Sequence, residues 1–160
     1  MENNQSIKGS CKCGQVKYQI TDKPLFTQAC HCKDCKVITG SSYVVNTSVL
    51  ENTLKLEGEV SSAKLTAGSG AASRAFFCTK CGTYIYTDYD WAVGRLTVRT
   101  KTLEDPDKFP PQVHIFVKDK DPWLNLSEDV NCFEEMYDAK TTWPEESLKR
   151  YSEYLKNRPK

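Results

Sequence analysis

The segments Cys11-Lys12-Cys13-Gly14 and Cys78-Thr79-Lys80-Cys81-Gly82 each contain two closely spaced cysteines followed directly by a glycine. Short loops of the C-x-C and C-x-x-C type supply two thiolates at a time to a tetrahedral zinc ion. Glycine tolerates the positive φ of a metal-binding turn and leaves room for amide-to-sulfur hydrogen bonds. Pairing the two segments predicts a closed structural site on Cys11, Cys13, Cys78 and Cys81, which would stabilise the fold by closing a long loop.

A third group of cysteines, Cys30-His31-Cys32-Lys33-Asp34-Cys35, lies between these two segments. Seven of the eight cysteines are therefore grouped, and a site of four leaves a set of three. Three protein ligands with one open position are typical of a catalytic zinc. The count predicts two zinc ions per chain, one structural and one labile or catalytic. The remaining cysteine, Cys132, is interpreted as a buried or surface thiol.

Two other uses of the cysteines remain open at this point. Thiolates alone also suit an iron–sulfur cluster. Disulfides belong to oxidising compartments, and a one-residue gap would strain a bond between Cys11 and Cys13. The polar stretch Met1–Ser6 lacks the apolar core of a signal peptide, and no apolar run approaches the roughly 20 residues of a membrane span. We therefore expect a cytoplasmic protein with no membrane association.

The composition limits the possible partners. The chain has 160 residues, of which 39% are hydrophobic and 27% charged, which argues against a disordered chain. Its 22 basic and 21 acidic residues give a net charge of +1. Because a basic footprint is missing at the level of the whole chain, we do not expect a nucleic-acid partner. The sequence does not determine the oligomeric state.

Strand patterns dominate the chain and predict an all-β fold. Alternating, β-branched or aromatic segments occur at 14–20, 42–47, 54–59, 74–77, 83–87, 94–100 and 112–117. The Gly- and Ala-rich stretch 67–73 predicts a hairpin connection or a mobile loop.

The C-terminal part of the chain has a helical pattern. Thr142-Trp143-Pro144-Glu145 has the spacing of a capping box, and Leu148, Tyr151 and Leu155 form an apolar stripe after it. The sequence thus predicts one domain over residues 5–130 and a C-terminal extension with a helix over residues 131–160.

Three stretches resemble the glutathione-dependent formaldehyde-activating enzyme family, also called the CENP-V/GFA domain family. They are Lys12–Tyr18, the triplet segment 30–35 followed by Thr39-Gly40-Ser41, and Phe77–Thr83. The segments His114-Ile115-Phe116 and Asp121-Pro122-Trp123-Leu124 are also similar to the C-terminal half of that family. The resemblance spans about residues 7–130.

The resemblance implies an Mss4-like zinc-binding β-sheet fold. It also implies a structural zinc on Cys11, Cys13, Cys78 and Cys81 and a more labile zinc on Cys30, Cys32 and Cys35. The implied activity is that of a carbon–sulfur lyase of the S-(hydroxymethyl)glutathione synthase type, with a small thiol such as glutathione as partner.

The chemistry of a three-thiolate zinc suggests how Cys30, Cys32 and Cys35 could be catalytic. Zinc makes a thiolate available near neutral pH, and this thiolate could add to a carbonyl carbon to give a hemithioacetal. The reverse reaction would cleave a C–S bond.

Other residues are weaker candidates for the site. His31 is interpreted as a hydrogen-bonding support for the ligands, and His114 as a structural residue. Lys33 and Lys36 could hold carboxylates, although solvated lysines are the simpler interpretation. Candidate pocket walls are Tyr43, Tyr89 and Trp91; candidate anion anchors are Arg74, Arg95 and Arg99, with solvated strand faces as the default.

Two other classes of function remain possible. One is a non-catalytic, zinc-stabilised binding module, such as an adaptor between proteins. The other is metal storage or redox sensing by a labile three-cysteine site.

Overall fold

A computed structural model describes residues 6–159 of the chain. The predicted domain start at residue 5, and residues 1–5 of the polar N-terminal stretch, lie outside the described residues. The described part is mostly β-sheet with a few short helices, so the prediction of an all-β fold with a C-terminal helix is confirmed. Within this range, no helix is both long and apolar enough to cross a membrane.

The strands and α-helices follow one another along the chain. The strands are β1 (Ile7–Ser10), β2 (Lys17–Ile20), β3 (Phe26–Cys30), β4 (Val44–Leu50), β5 (Leu54–Glu57), β6 (Val60–Thr66), β7 (Ala72–Cys78), β8 (Tyr84–Tyr89), β9 (Arg95–Arg99), β10 (Val113–Ile115) and β11 (Asn131–Phe133). The α-helices are α1 (Lys33–Thr39), α2 (Ala139–Thr142) and α3 (Glu145–Asn157).

The strands form two sheets. The small sheet has the order β1-β2-β5, and the large sheet has the order β11-β10-β3-β4-β9-β8-β7-β6. Strand β10 runs parallel to both β3 and β11, whereas the other pairs are antiparallel. The sequence patterns did not predict β1, β3, β6 and β11. In β3 the side chains on both faces are largely buried, so the strand lacks the alternation that identifies a half-exposed strand.

Each face of the large sheet carries its own apolar core. Val49 and Val98 on one face pack with Val16, Tyr18 and Ile20, which lie in or next to the small sheet. Val49 and Val98 lie on the same face because side chains alternate between the two faces along each strand, so that alternate residues of β4 and β9 point the same way.

The opposite face of the large sheet packs against the C-terminal segment. Phe26, Val113 and Ile115 of the sheet share one buried cluster with Trp143, whose ring stacks on Phe26 at a centroid distance of 5.7 Å. The predicted division of the chain at residue 130 stays a prediction. The residues beyond it nevertheless add β11 to the edge of the large sheet and Trp143 to its core.

The predicted capping box before α3 does not form. Thr142 ends α2, and α3 begins at Glu145 with no side-chain cap on Pro144. Proline disfavours helical backbone in the residue before it, and Trp143 accordingly has extended backbone with φ −78° and ψ 150°. This kink places the Trp143 ring in the core.

Truncating Trp143 should release the C-terminal helix from the sheet. We expect Trp143→Ala to lower the free energy of unfolding by about 3–5 kcal/mol, because the side chain is 6% exposed and leaves a cavity. Trp123→Ala is the matched control, since that ring is 67% exposed. Urea denaturation of the two variants compares them, and equal losses of stability would contradict this docking of the extension.

Candidate functional site

The first cysteine cluster lies where the two sheets meet. Cys11 follows β1, Cys78 ends β7, and the four sulfurs of Cys11, Cys13, Cys78 and Cys81 all lie within 4.8 Å of one another. The Sγ–Sγ distances are 3.5 Å for Cys11–Cys13 and 3.8 Å for Cys13–Cys78. Four thiolates at about 2.3 Å from a tetrahedral zinc lie about 3.8 Å apart. The donor set and its spacing therefore fit a zinc ion.

The two glycines after this cluster have the predicted backbone. Gly14 has φ +76° and Gly82 has φ +68°, so both adopt the left-handed conformation that side chains disfavour. Backbone amides also approach the sulfurs, and the Val16 N–H donates to Cys11 Sγ at 3.2 Å. Every cysteine in the described range is free, so no disulfide competes with metal binding there.

The second cluster joins the end of a strand to the start of a helix. Cys30 is the last residue of β3, Cys32 is the N-cap of α1, and Cys35 lies in its first turn. Their sulfurs also lie within 4.8 Å of one another, and no other Cys, His, Asp or Glu of the described chain joins the group. The arrangement could therefore hold a metal ion through three thiolates.

The patterns of the sequence did not predict helix α1. Its N-cap is a cysteine, whose Sγ accepts a hydrogen bond from the Cys35 N–H at 3.3 Å. Gly40 at its end, with φ +62°, was an available helix-stop signal. Asp34 lies in the first turn of this helix.

Hydrogen bonds within the second cluster favour a thiolate at Cys32. The thiols of Cys30 and Cys35 lower the pKa of Cys32, and the backbone amides of Cys35 and Gly68 lower it further. The same interactions and burial raise the pKa of Cys30. The cluster thus favours a single thiolate, on Cys32.

A cavity of about 310 Å³ opens beside the second cluster. Its described lining contains no Asp, Glu, Lys or Arg side chain. The lining residues are Gln28, Cys30, Cys32, Cys35, Asn46, Ala67, Gly68, Ser69, Ala71, Tyr89, Trp91, Thr97, Ile115, Phe116 and Met136. The cavity therefore suits a small, largely apolar group held close to the three sulfurs.

The loop between β6 and β7 closes one side of this cavity. It was predicted as a hairpin connection or mobile loop, and it turns through the hydrogen bonds Ala67 N–H to Ala71 O at 2.8 Å and Gly70 N–H to Ala67 O at 2.7 Å. A Cβ atom on Gly68 would lie 2.7 Å from Cys32 Sγ. Only glycine allows the backbone to approach the sulfur this closely.

The two histidines and Tyr43 lie away from the cavity lining. His31 is fully buried, and its Nε2 lies 2.8 Å from His114 Nδ1. Burial lowers the pKa of His31 to about 4, and burial also lowers the pKa of His114. Tyr43 packs on His31 with a centroid distance of 5.0 Å. Burial thus favours the neutral form of both rings, and Tyr89 and Trp91 are the candidate wall residues that do line the cavity.

The structure corrects the default interpretation of three basic side chains as solvated. Lys36 Nζ donates to Asp119 O at 2.7 Å and to Asp121 Oδ1 at 2.6 Å, which ties α1 to the chain after β10. Arg95 is 8% exposed and lies over the Trp91 ring at 4.7 Å. Arg99 is also buried, whereas Lys33 and Arg74 are exposed as expected.

Gln28 and Asn46 are cavity residues that the sequence analysis missed. They are direct partners across β3 and β4 and therefore share a face of the sheet. The sequence contained a signal for both residues. Gln28 lies two positions before Cys30, and Asn46 lies two positions after Val44, so each polar side chain shares a strand face with a cavity or core residue.

The mostly β-sheet fold, with two cysteine clusters and a C-terminal helix, defines an Mss4-like protein with two candidate metal centres. The family model described as "Glutathione-dependent formaldehyde-activating enzyme" matches residues 6–119, and the chain belongs to that family. No curated protein sequence matches the chain. Among solved structures, a Rhodobacter sphaeroides protein from structural genomics is similar, with 19% identity, a TM-score of 0.49, and coverage of 61% of this chain and 87% of that chain.

A side chain at position 68 should expose the second cluster. In Gly68→Ala the new Cβ overlaps Cys32, and overpacking of about 1–3 kcal/mol should push the loop outward. We expect iodoacetamide to alkylate Cys32 faster in this variant than in the wild type, as measured by mass spectrometry of the peptide. Ser69→Ala, in the same loop, should react at the wild-type rate. Equal rates in all three proteins would show that the loop does not cover the cluster.

Proposed function

We propose that the protein is a zinc-dependent carbon–sulfur lyase or synthase of the S-(hydroxymethyl)glutathione synthase type. It would act on the adduct of a small aldehyde with glutathione or a similar thiol. The observation that carries this proposal is the group of three cysteines without a fourth described protein donor, beside a cavity of small-molecule size. Membership of the glutathione-dependent formaldehyde-activating enzyme family supports the same chemistry.

We assign one zinc ion to each cluster. Cys11, Cys13, Cys78 and Cys81 would form the closed structural site, and Cys30, Cys32 and Cys35 the catalytic site. When bound by three thiolates, a zinc ion supplies a fourth position at which a thiol loses its proton near neutral pH. Reduced cysteines of this number suit a reducing compartment, so we propose a cytoplasmic location.

The reaction is an addition without any change of oxidation state. The S–H bond of the thiol and the C=O π bond of the aldehyde are replaced by an S–C bond and an O–H bond. The thiol proton thus ends on the former carbonyl oxygen, and the reverse reaction cleaves the S–C bond.

The residues of the cavity orient the two reactants. The rings of Tyr89, Trp91 and Phe116 wall the space beside the sulfurs, and the Gly68 loop limits the access of water to Cys32. Because the described lining has no Asp, Glu, Lys or Arg to pair with them, the charged ends of glutathione remain at the mouth in solvent, while the thiol and aldehyde ends fit inside.

The number of metal ions tests the assignment of the clusters. Elemental analysis should find two zinc ions per wild-type chain and one in Cys32→Ser, with the fold retained because the first cluster is intact. Cys132→Ser is the matched control, since this exposed cysteine belongs to neither cluster, and it should keep two. Iron in place of zinc, or two ions in Cys32→Ser, would contradict the assignment.

Turnover tests the function itself. With formaldehyde and glutathione, the wild type should speed the exchange between free and adduct forms above the spontaneous rate, as measured by NMR exchange spectroscopy. Cys32→Ser should fall to the spontaneous rate, while Cys132→Ser keeps the wild-type rate. A folded Cys32→Ser variant with unchanged turnover would favour a non-catalytic binding module instead.

A further inference from the structure

We propose that the side-chain amides of Gln28 and Asn46 form a two-donor site that binds the carbonyl oxygen of the substrate. This inference deepens the proposed function and rests on it for the identity of the carbonyl as an aldehyde. Gln28 and Asn46 line the same cavity as the three cysteines of the second cluster.

The orientation of the Asn46 amide is determined by Arg99. A guanidinium has only donors, and Arg99 Nη1 donates to Asn46 Oδ1. Arg99 is itself held by a hydrogen bond from Nη2 to Thr87 Oγ1 at 2.6 Å and by its position over the Tyr84 ring at 4.0 Å. The Asn46 oxygen is therefore occupied, and its –NH₂ group points away from Arg99.

The orientation of the Gln28 amide follows from a similar chain of donors. The indole N–H of Trp143 can only donate, and it donates to Tyr137 Oη at 2.9 Å. The Tyr137 hydroxyl in turn donates to Gln28 Oε1. The Gln28 oxygen is thus also occupied, which leaves its –NH₂ group as the free end.

Both –NH₂ groups lack a partner inside the protein. Neither amide nitrogen donates a hydrogen bond to any residue in the described range 6–159, although Asn46 is only 3% exposed. Two donors without a described protein partner lie on paired strands that line one cavity, so a ligand with acceptor oxygens can accept from both.

The position of the pair suits an oxygen that gains charge during thiol addition. Cys30 lies two residues beyond Gln28 on the same face of β3, about 6.6 Å along the strand. A carbonyl carbon near the sulfurs can therefore direct its oxygen toward the amides. As the S–C bond forms, the π electrons move to that oxygen, and preorganised N–H donors stabilise the developing negative charge.

Two nearly isosteric variants remove the donors and keep the internal contacts. Asn46→Asp retains an acceptor for Arg99, and Gln28→Glu retains one for Tyr137, but each replaces the –NH₂ group by an oxygen. Gln112→Glu is the matched control. The Gln112 Oε1 accepts from the Thr27 N–H at 3.2 Å, and the residue does not line the cavity.

The binding test uses N,N-dimethylformamide, a neutral carbonyl compound whose oxygen only accepts hydrogen bonds. In ¹H–¹⁵N spectra of the full chain, the side-chain –NH₂ signals of Gln28 and Asn46 should move downfield on titration, and that of Gln112 should stay. The variants assign these signals. Quenching of tryptophan fluorescence should give an affinity at least about tenfold weaker in Asn46→Asp and Gln28→Glu, and unchanged in Gln112→Glu.

Turnover separates this inference from the proposed function. We expect about 100-fold slower adduct formation in each donor variant and the wild-type rate in Gln112→Glu. Unmoved amide signals together with wild-type turnover in the donor variants would overturn the two-donor site alone. Shifted amide signals in a protein that never exceeds the spontaneous rate would support the carbonyl site and overturn only the proposed function.

Discussion

The fold brings four sulfurs together between the small sheet and the end of β7, where a bound metal ion would link the two. Cys11 and Cys13 are separated from Cys78 and Cys81 by 64 residues of intervening chain, residues 14–77, and such a link would close this stretch into a loop. Strands β3 and β4, helix α1 and the Gly68 loop all lie inside it. A cross-link at the base of such a loop lowers the entropy of the unfolded chain. A metal ion at the first cluster would therefore also stabilise the segment that carries the second.

Charge explains why Arg99 can be buried behind the cavity. Its hydrogen-bond partners are the neutral side chains of Asn46, Tyr84 and Thr87, and no carboxylate of the described residues forms an ion pair with it. Burial alone would lower the pKa of Arg99, but Tyr89, Tyr84 and Cys35 raise it. A nearby negative charge favours a buried cation, and the second cluster, of which Cys35 raises the pKa of Arg99, can supply one through the Cys32 thiolate. The guanidinium in turn stabilises that cluster and orients Asn46.

The sequence predicted the parts of the molecule that follow local rules. The cysteine spacing indicated the two groups that the fold brings together, and the glycines at positions 14 and 82 have the positive φ that a metal-binding turn requires. It could not predict β3, because a strand buried on both faces does not alternate. It also missed Gln28 and Asn46, since their importance arises from the pairing of β3 with β4 and from donors supplied by distant residues.

The part of the chain that the family model matches and the C-terminal extension contribute differently to the candidate site. Both cysteine clusters lie within residues 6–119, the part that the family model matches. Met136 of the cavity wall, and the Trp143–Tyr137 pair that orients Gln28, lie beyond it. Phe116 has φ +55°, and its backbone N–H donates to Glu135 O at 3.2 Å. This hydrogen bond joins the cavity wall to the same extension. The part of the chain that the family model matches thus contains both cysteine clusters, while the C-terminal extension contributes to the wall of the cavity.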